Sequence, residues 1–211
     1  MRIHQILHGS HVNGPGTRSV VWFQGCQGMN CPGCFNPHTH PRETGTEIDP
    51  SVLAEAVAHD APAGTEGVTV SGGEPMQQAL ALHGFLSELR ACKPGWSIGL
   101  FTGYSVSELA TGDYDMGGWL DLLTGQEQRK LARYAWVKIR EMLDFAICGR
   151  FDRTQLQLPA LADRADAHLI TSANQTVELF STRYTYDDFP PLQVEATIGT
   201  DGLTQITGYP L

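Results

Sequence analysis

The sequence predicts an α/β fold: a parallel sheet with helices between its strands and a β-hairpin at the C-terminal end. Three observations predict it. Short apolar runs alternate with amphipathic stretches from about residue 18 to 148, the strand–helix–strand pattern of a parallel sheet. The residues with chemistry to offer each follow a predicted strand: the clustered cysteines, Gly-Gly-Glu, Thr-Gly-Tyr and Gly-Arg-Phe. Ligands of parallel α/β folds bind at the carboxyl ends of strands, so these four strand ends point at one shared face. From residue 192 onward, two short runs flank Asp201-Gly202, which reads as a hairpin and its turn.

Residues 1–8 and 18–24 read as strands separated by His11-Val12-Asn13-Gly14-Pro15-Gly16, where glycine and proline set a tight path. Residues 37–46 read as loop. Asp49-Pro50 offers an N-cap and a first helical residue for a helix through about 59, which Ala61-Pro62-Ala63-Gly64 ends. A buried strand over 67–70 runs into Ser71-Gly72-Gly73-Glu74-Pro75. The next helix carries Leu82, Phe85, Leu86 and Leu89 at i, i+3, i+4 and i+7 and stops at Lys93-Pro94-Gly95. A strand over 96–101 ends in Thr102-Gly103-Tyr104, and a short helix covers 106–110. Residues 111–125 are irregular, 126–142 helical, and 144–148 a strand ending at Gly149-Arg150-Phe151-Asp152. A strand over 168–171, Ser172-Ala173-Asn174-Gln175 and a further strand through 180 complete the body. No internal repeat, low-complexity segment or linker interrupts the chain, so residues 1–211 are expected to form one domain.

Composition excludes several classes. The chain has 211 residues, 41% hydrophobic and 18% charged, enough for a substantial core. No apolar run approaches the roughly 18 residues of a membrane span. Met1-Arg2-Ile3-His4-Gln5 lacks the apolar stretch of a signal peptide. Of five cysteines, three cluster and Cys92 and Cys148 stand alone, which is no disulfide framework; a reduced, cytoplasmic setting is expected. A net charge of −9 argues against nonspecific nucleic-acid binding. No Asp or Glu precedes Glu43, while Arg2, Arg18, Arg42 and five of the eight histidines lie in that stretch. An acidic chain has cleared carboxylates from around its cysteines, as an anionic thiolate–metal centre favours.

Those cysteines organise the chain. In Gly25-Cys26-Gln27-Gly28-Met29-Asn30-Cys31-Pro32-Gly33-Cys34-Phe35-Asn36-Pro37, Cys26, Cys31 and Cys34 stand at C-x4-C-x2-C spacing. Iron–sulfur clusters normally take four cysteines and structural zinc four Cys or His ligands. Three thiolates therefore imply a histidine fourth ligand, with His38 and His40 nearby, or a position left open for substrate. Zinc, an iron–sulfur cluster and a redox C-x-x-C all remain compatible with the spacing alone. The open position is the working expectation.

With Ser71-Gly72-Gly73-Glu74-Pro75 the pattern becomes recognisable. A cysteine trio near the N-terminus followed by Gly-Gly-Glu-Pro after the next strand resembles the radical S-adenosylmethionine (SAM) superfamily. Within it the chain is most similar to the activating enzymes of anaerobic ribonucleotide reductase. Asn13-Gly14-Pro15-Gly16-Thr17-Arg18, Cys31-Pro32-Gly33-Cys34-Phe35-Asn36-Pro37, Thr102-Gly103-Tyr104, Asp144 with Gly149-Arg150-Phe151, Ser172-Ala173-Asn174-Gln175 and the Val194-Glu195 to Gly208 hairpin carry this likeness along nearly the whole chain. The family spacing is C-x3-C-x2-C; this chain has one residue more, which Gly28 would absorb as a wider loop or which would shift Cys26. Cys148 stands where relatives often carry an acid and is read as a buried structural thiol.

The resemblance implies an incomplete β/α barrel, since 211 residues fall short of the ~250 typical of the closed form. It implies that Cys26, Cys31 and Cys34 hold a [4Fe–4S] cluster whose remaining iron takes S-adenosyl-L-methionine. Gly72, Gly73 and Glu74 would line the SAM amino group, with Thr102 and Asn36 giving polar contacts. It implies a flavodoxin or ferredoxin as reductant, cleavage of SAM to a 5′-deoxyadenosyl radical, and a glycyl-radical enzyme such as the anaerobic ribonucleotide reductase large subunit as partner; no nucleic-acid or membrane partner is expected. A single-cluster enzyme acting on a small molecule or peptide is the alternative of the same class. Nothing after Cys34 offers ligands for an auxiliary cluster, which favours the minimal activase. A noncatalytic zinc or iron–sulfur module is the alternative of another class, and Gly-Gly-Glu-Pro after a strand argues against it.

Overall fold

The apolar runs become one seven-stranded sheet in the computed structural model, which describes residues 1–117, 123–156, 169–191, 193–198 and 204–208. Its strands are β1 (Arg2–Ser10), β2 (Arg18–Phe23), β3 (Thr46–Glu47), β4 (Gly67–Gly72), β5 (Ser97–Thr102), β6 (Phe145–Cys148) and β7 (Thr176–Leu179). They lie in the order β3-β1-β2-β4-β5-β6-β7. The four central strands are parallel, with Val21 opposite Val70, Val70 opposite Leu100, and Leu100 opposite Ala146. β1, β3 and β7 join antiparallel. The sheet is therefore mixed and mostly parallel, running in line from β3 to β7. The hairpin expected at the C-terminal end is β8 (Val194–Ile198) paired with β9 (Thr204–Gly208); its Asp201-Gly202 turn lies outside the described residues.

Because strand side chains alternate between faces, the two faces carry different tasks. Val21, Phe23, Val70, Ile98, Leu100 and Ala146 point into the main core. There they meet α1 (Pro50–Asp60), α2 (Ala79–Cys92) and α4 (Gly125–Arg140), with α2 packed against both of the others. Leu82, Phe85, Leu86 and Leu89 are wholly buried, each contributing about 1.5–3 kcal/mol of burial free energy. The residues between them along the strands, Trp22, Ser71, Phe101 and Ile147, line a cavity on the other side. Helices cover one face; the other carries this cavity and a second apolar cluster in which Phe145 and Ile147 meet Leu169, Ile170, Val177 and Phe189.

Helix ends follow local chemistry. Asp49 accepts the Ser51 N–H at 2.8 Å and Pro50 takes the first helical position of α1. The six-residue α3 (Val106–Thr111) has a reciprocal capping box between Ser105 and Glu108, and α4 has another between Thr124 and Glu127. Those caps explain why a stretch as short as α3 holds a helix.

Two local expectations differ. The segment read as loop contains a 3-10 turn at Pro37–Thr39 and the two-residue β3. Residues 169–171 do not form the expected strand, and His168 lies outside the described residues. Leu169 is left-handed at φ 62°. The Gln175 side-chain oxygen takes the N–H and hydroxyl of Thr171 and of Ser172, at 2.9 to 3.3 Å. A side chain has captured the backbone donors that a strand would need.

Arg18 fastens the lower end of the parallel sheet and is completely buried. Its Nε–H donates to Thr69 Oγ1, one terminal nitrogen to the Pro15 carbonyl and Ser97 Oγ, the other to the Val68 and Ser97 carbonyls, at 2.6 to 3.2 Å. All five guanidinium donors are used, and Phe145 lies under the charge at 5.1 Å. Burial pulls its pKa down to about 10, still cationic at neutral pH.

Candidate active site

The loop after β2 and the turn after β4 are joined by backbone. Gly73 N–H donates to the Phe23 carbonyl and Glu74 N–H to the Gly25 carbonyl, both at 2.8 Å. Parallel pairing thus continues past both strands and sets Gly-Gly-Glu beside Cys26. A Cβ on Gly72 would collide with the Phe23 backbone, and one on Gly73 with the Gly25 carbonyl. These glycines admit a neighbouring loop of the protein itself, a reason the motif alone did not reveal. Gln77 adds a two-way clamp, accepting the Gln27 N–H at 2.9 Å and donating to the Gln27 carbonyl at 2.7 Å.

The widened cysteine loop is accommodated by left-handed backbone at Gly28 (φ 72°) and Asn30 (φ 48°), conformations for which glycine and asparagine are suited. Between them Met29 turns inward and is buried. A Cβ on Gly103 would sit 3.2 Å from Met29 Sδ and 3.4 Å from Glu74 Oε2, so the extra loop length fills space at the end of β5. The other end of the loop docks on the segment after β6: Arg153 N–H donates to the Pro32 carbonyl at 3.2 Å and the Phe35 and Phe151 rings lie 4.6 Å apart.

Cys26, Cys31 and Cys34 are half-buried and share a cavity of about 370 Å³ with Asn36, Gly72, Gly73, Glu74 and Thr102. That size lies within the range of small-molecule sites. Every site residue expected from the sequence therefore borders one hollow at the carboxyl ends of β2, β4 and β5. Burial pushes all three thiols up, Cys26 to about 12, and the proximity of other anionic groups adds to this for Cys26 and Cys31. Against burial, the Phe151 N–H bonds to the Cys31 sulfur and the Asn36 N–H to Cys34 Sγ at 3.4 Å. Among the described residues no three His, Cys, Asp or Glu side chains converge on a point that would hold one metal ion. The thiols border the hollow without meeting at a point. Three soft donors, two already receiving N–H bonds, are the donor chemistry of iron–sulfur ligation.

Glu74 is buried and caps the 3-10 turn at Pro75–Gln78, accepting the Met76 N–H at 2.9 Å. It also accepts the Thr102 hydroxyl at 2.8 Å on the same oxygen and the Gly103 N–H at 2.7 Å on the other. Three of about four lone-pair sites are filled, leaving one on Oε2. Burial outweighs these bonds and lifts its pKa to about 7. A buried carboxylate with one acceptor site left and a cavity before it suits a cationic amine. Thr102 meets the site through Glu74. Asn36 contributes its N–H to Cys34 and its carbonyl to Thr39, and its side chain makes no capping bond at the turn it precedes.

Two further side chains near the site lie outside the cysteine and Gly-Gly-Glu-Pro motifs. Arg150 makes a two-pronged bond to Glu108 at 3.1 and 2.9 Å and lies over Tyr104 at 5.7 Å. His40 Nε2 lies 3.3 Å from Cys34 Sγ; the sequence flagged it only as an alternative zinc ligand. Cys148 is buried on β6 and Cys92 exposed at the end of α2.

Residues 12–177 match the family described as "4Fe-4S single cluster domain". Over 115 residues the chain is 33% identical to the anaerobic ribonucleoside-triphosphate reductase-activating protein of Salmonella typhimurium, covering 52% of this chain and 73% of that protein. The protein of the same name from Escherichia coli K12 is 32% identical over 113 residues, with the same coverage. The pyruvate formate-lyase-activating enzyme of Listeria monocytogenes is 41% identical over 95 residues, 43% of this chain and 37% of that one. No helix among the described residues is long and apolar enough to cross a membrane.

Proposed function

Since the chain belongs to the 4Fe-4S single cluster domain family and is one of the radical SAM glycyl-radical activases, we propose that residues 1–211 form one domain that uses SAM to install a glycyl radical on a partner enzyme. The partner class is that of anaerobic ribonucleotide reductase, the reductant a flavodoxin or ferredoxin, and the setting the cytoplasm. We take the open, mostly parallel sheet as the incomplete barrel of this family.

One observation carries the reading. Cys26, Cys31 and Cys34 border the same hollow as Glu74, and the two loops are hydrogen-bonded to each other. In this reading the three thiols hold the cluster, and the Phe151 and Asn36 N–H groups steady two of the sulfurs. Glu74 offers its remaining Oε2 site to the SAM ammonium while Thr102 and the Gly103 N–H keep the carboxylate aimed. Gly72 and Gly73 bring that carboxylate beside Cys26, and Asn36 lines the same wall. Trp22, Phe101 and Ile147 form an apolar floor that excludes water from a reactive intermediate. Bound together, cluster and SAM supply one-electron cleavage to a 5′-deoxyadenosyl radical and methionine, chemistry that belongs to the cofactors.

Anaerobic reconstitution tests the first half: about four iron and four sulfide per chain are expected, whereas stoichiometric zinc would indicate the noncatalytic module. Reduced protein with SAM should then form 5′-deoxyadenosine; none from well-loaded protein overturns the enzyme reading. A glycyl EPR signal on mixing with a glycyl-radical reductase separates the activase from an enzyme of small molecules.

A further inference from the structure

We propose that His40 is a positioning residue for the cluster, gripping the first and third cysteines of the loop and raising the cluster's reduction potential through an N–H···S bond to Cys34. The proposal rests on the iron–sulfur reading above and extends it to a residue outside the cysteine motif.

His40 reaches both ends of the trio. Its carbonyl accepts the Cys26 N–H at 3.0 Å, and its Nε2 lies 3.3 Å from Cys34 Sγ. The ring is delivered by a fixed backbone. Gly25 N–H donates to the Thr39 carbonyl at 2.7 Å, and His40 N–H donates to the Pro37 carbonyl at 3.2 Å. Thr39, wholly buried, ties its hydroxyl and N–H to the Asn36 carbonyl at 2.7 and 3.0 Å. Residues 36–40 thus form a short brace hydrogen-bonded to the loop it serves.

The chemistry decides the direction of the bond. A free thiol can donate to an imidazole nitrogen or accept from it. A thiolate on iron carries no proton, so the contact survives only as Nε2–H donating to sulfur. With the Asn36 N–H at 3.4 Å, Cys34 then receives two donors and Cys31 one, from Phe151. Among the described residues, Cys26 receives none. Donors to cluster sulfurs favour the more negatively charged reduced state. Because His40 is a side chain, its contribution can be removed, unlike the two backbone N–H groups.

The test compares wild type, His40→Gln and His40→Phe after anaerobic reconstitution, measuring iron and sulfide first and the midpoint potential second. A wild type that takes up no cluster removes the iron–sulfur reading itself, and this proposal with it. Given a loaded wild type, His40→Phe should be harder to reduce. At a fixed poise its reduced-to-oxidised ratio should fall about tenfold, equivalent to about 59 mV for a one-electron couple. His40→Gln, which keeps an N–H, should stay nearer wild type. Equal potentials in the three loaded proteins overturn the proposal, as does an equal shift in both variants. Where a variant fails to load, pulsed EPR on reduced wild type carrying 15N-histidine decides. Coupling of the cluster spin to a histidine nitrogen supports the bond, and its absence overturns it.

Discussion

Thr102 donates its hydroxyl to Glu74 Oε1 at 2.8 Å, tying the carboxyl ends of β5 and β4 at the mouth of the cavity. The bond makes a motif on one strand depend on a hydroxyl 28 residues away. Replacing it with valine removes about 1 kcal/mol of support for the ionised carboxylate. Thr102→Val should therefore raise the Glu74 pKa further, by roughly half to one unit, and weaken SAM binding at neutral pH. Calorimetric titration across pH, beside wild type, checks both.

Glu74 itself predicts a pH dependence. Its folded pKa of about 7 lies above the ordinary 4.5, so the folded protein holds the proton more tightly. Its contribution to stability is therefore greatest below pH 4.5 and is lost as pH rises toward 7. A cationic amine needs the carboxylate, so SAM affinity should rise from pH 6 to 8 with proton release. Arg150, after β6, lowers its pKa, while Cys26, Cys31, Tyr104, Tyr114 and Cys148 are other titratable groups that sense its charge. Glu74→Gln should bind SAM at least about tenfold more weakly and lose the rise with pH. A rise that persists in this variant assigns the titration elsewhere.

Cluster ligation separates the clustered cysteines from Cys92. Cys26→Ser, Cys31→Ser and Cys34→Ser should each lose most of the iron and all 5′-deoxyadenosine formation. Cys92→Ser, exposed at the end of α2, should keep both. Iron and sulfide content per chain is the measurement.

Two glycines near Cys26 should respond differently: Gly73, packed on Gly25, and Gly28, two residues along the loop. Gly73→Ala drives a Cβ into the Gly25 carbonyl and should displace Cys26, lowering cluster loading while far-UV circular dichroism stays near wild type. Gly28→Ala meets no atom within 4 Å and carries only the strain of φ 72°, about 1–2 kcal/mol. It should load normally and melt a few degrees lower.

Arg18→Met should be the most destabilising of these changes. It takes the guanidinium donors from five buried acceptors, of which Ser97 Oγ keeps the Tyr184 hydroxyl at 2.8 Å, and loss of such a buried polar network costs about 3–5 kcal/mol. Arg18→Lys, with three donors, should recover only part. Denaturant midpoints compare them.

Much of the architecture is legible along the chain. Asp49-Pro50, the leucine and phenylalanine spacing of α2, the valine-rich strands and the final hairpin all appear where local rules put them. The cysteine trio and Gly-Gly-Glu-Pro were also readable, since each is a contiguous motif. The antiparallel β7 and the missing strand at 169–171 were not. The first depends on pairing across the sheet; the second depends on Gln175 competing for backbone donors.

Element order, the buried strands and the residue types gathered after them are written along the chain, because periodicity, caps and turns are properties of near neighbours. Long-range packing alone makes Gly73 lean on Gly25, Thr102 hold Glu74, Arg18 spend all five donors on β4, β5 and a turn, and His40 reach Cys34. Those contacts follow from the register of parallel strands and the faces they present, which bring distant segments within hydrogen-bond distance only once the sheet has formed.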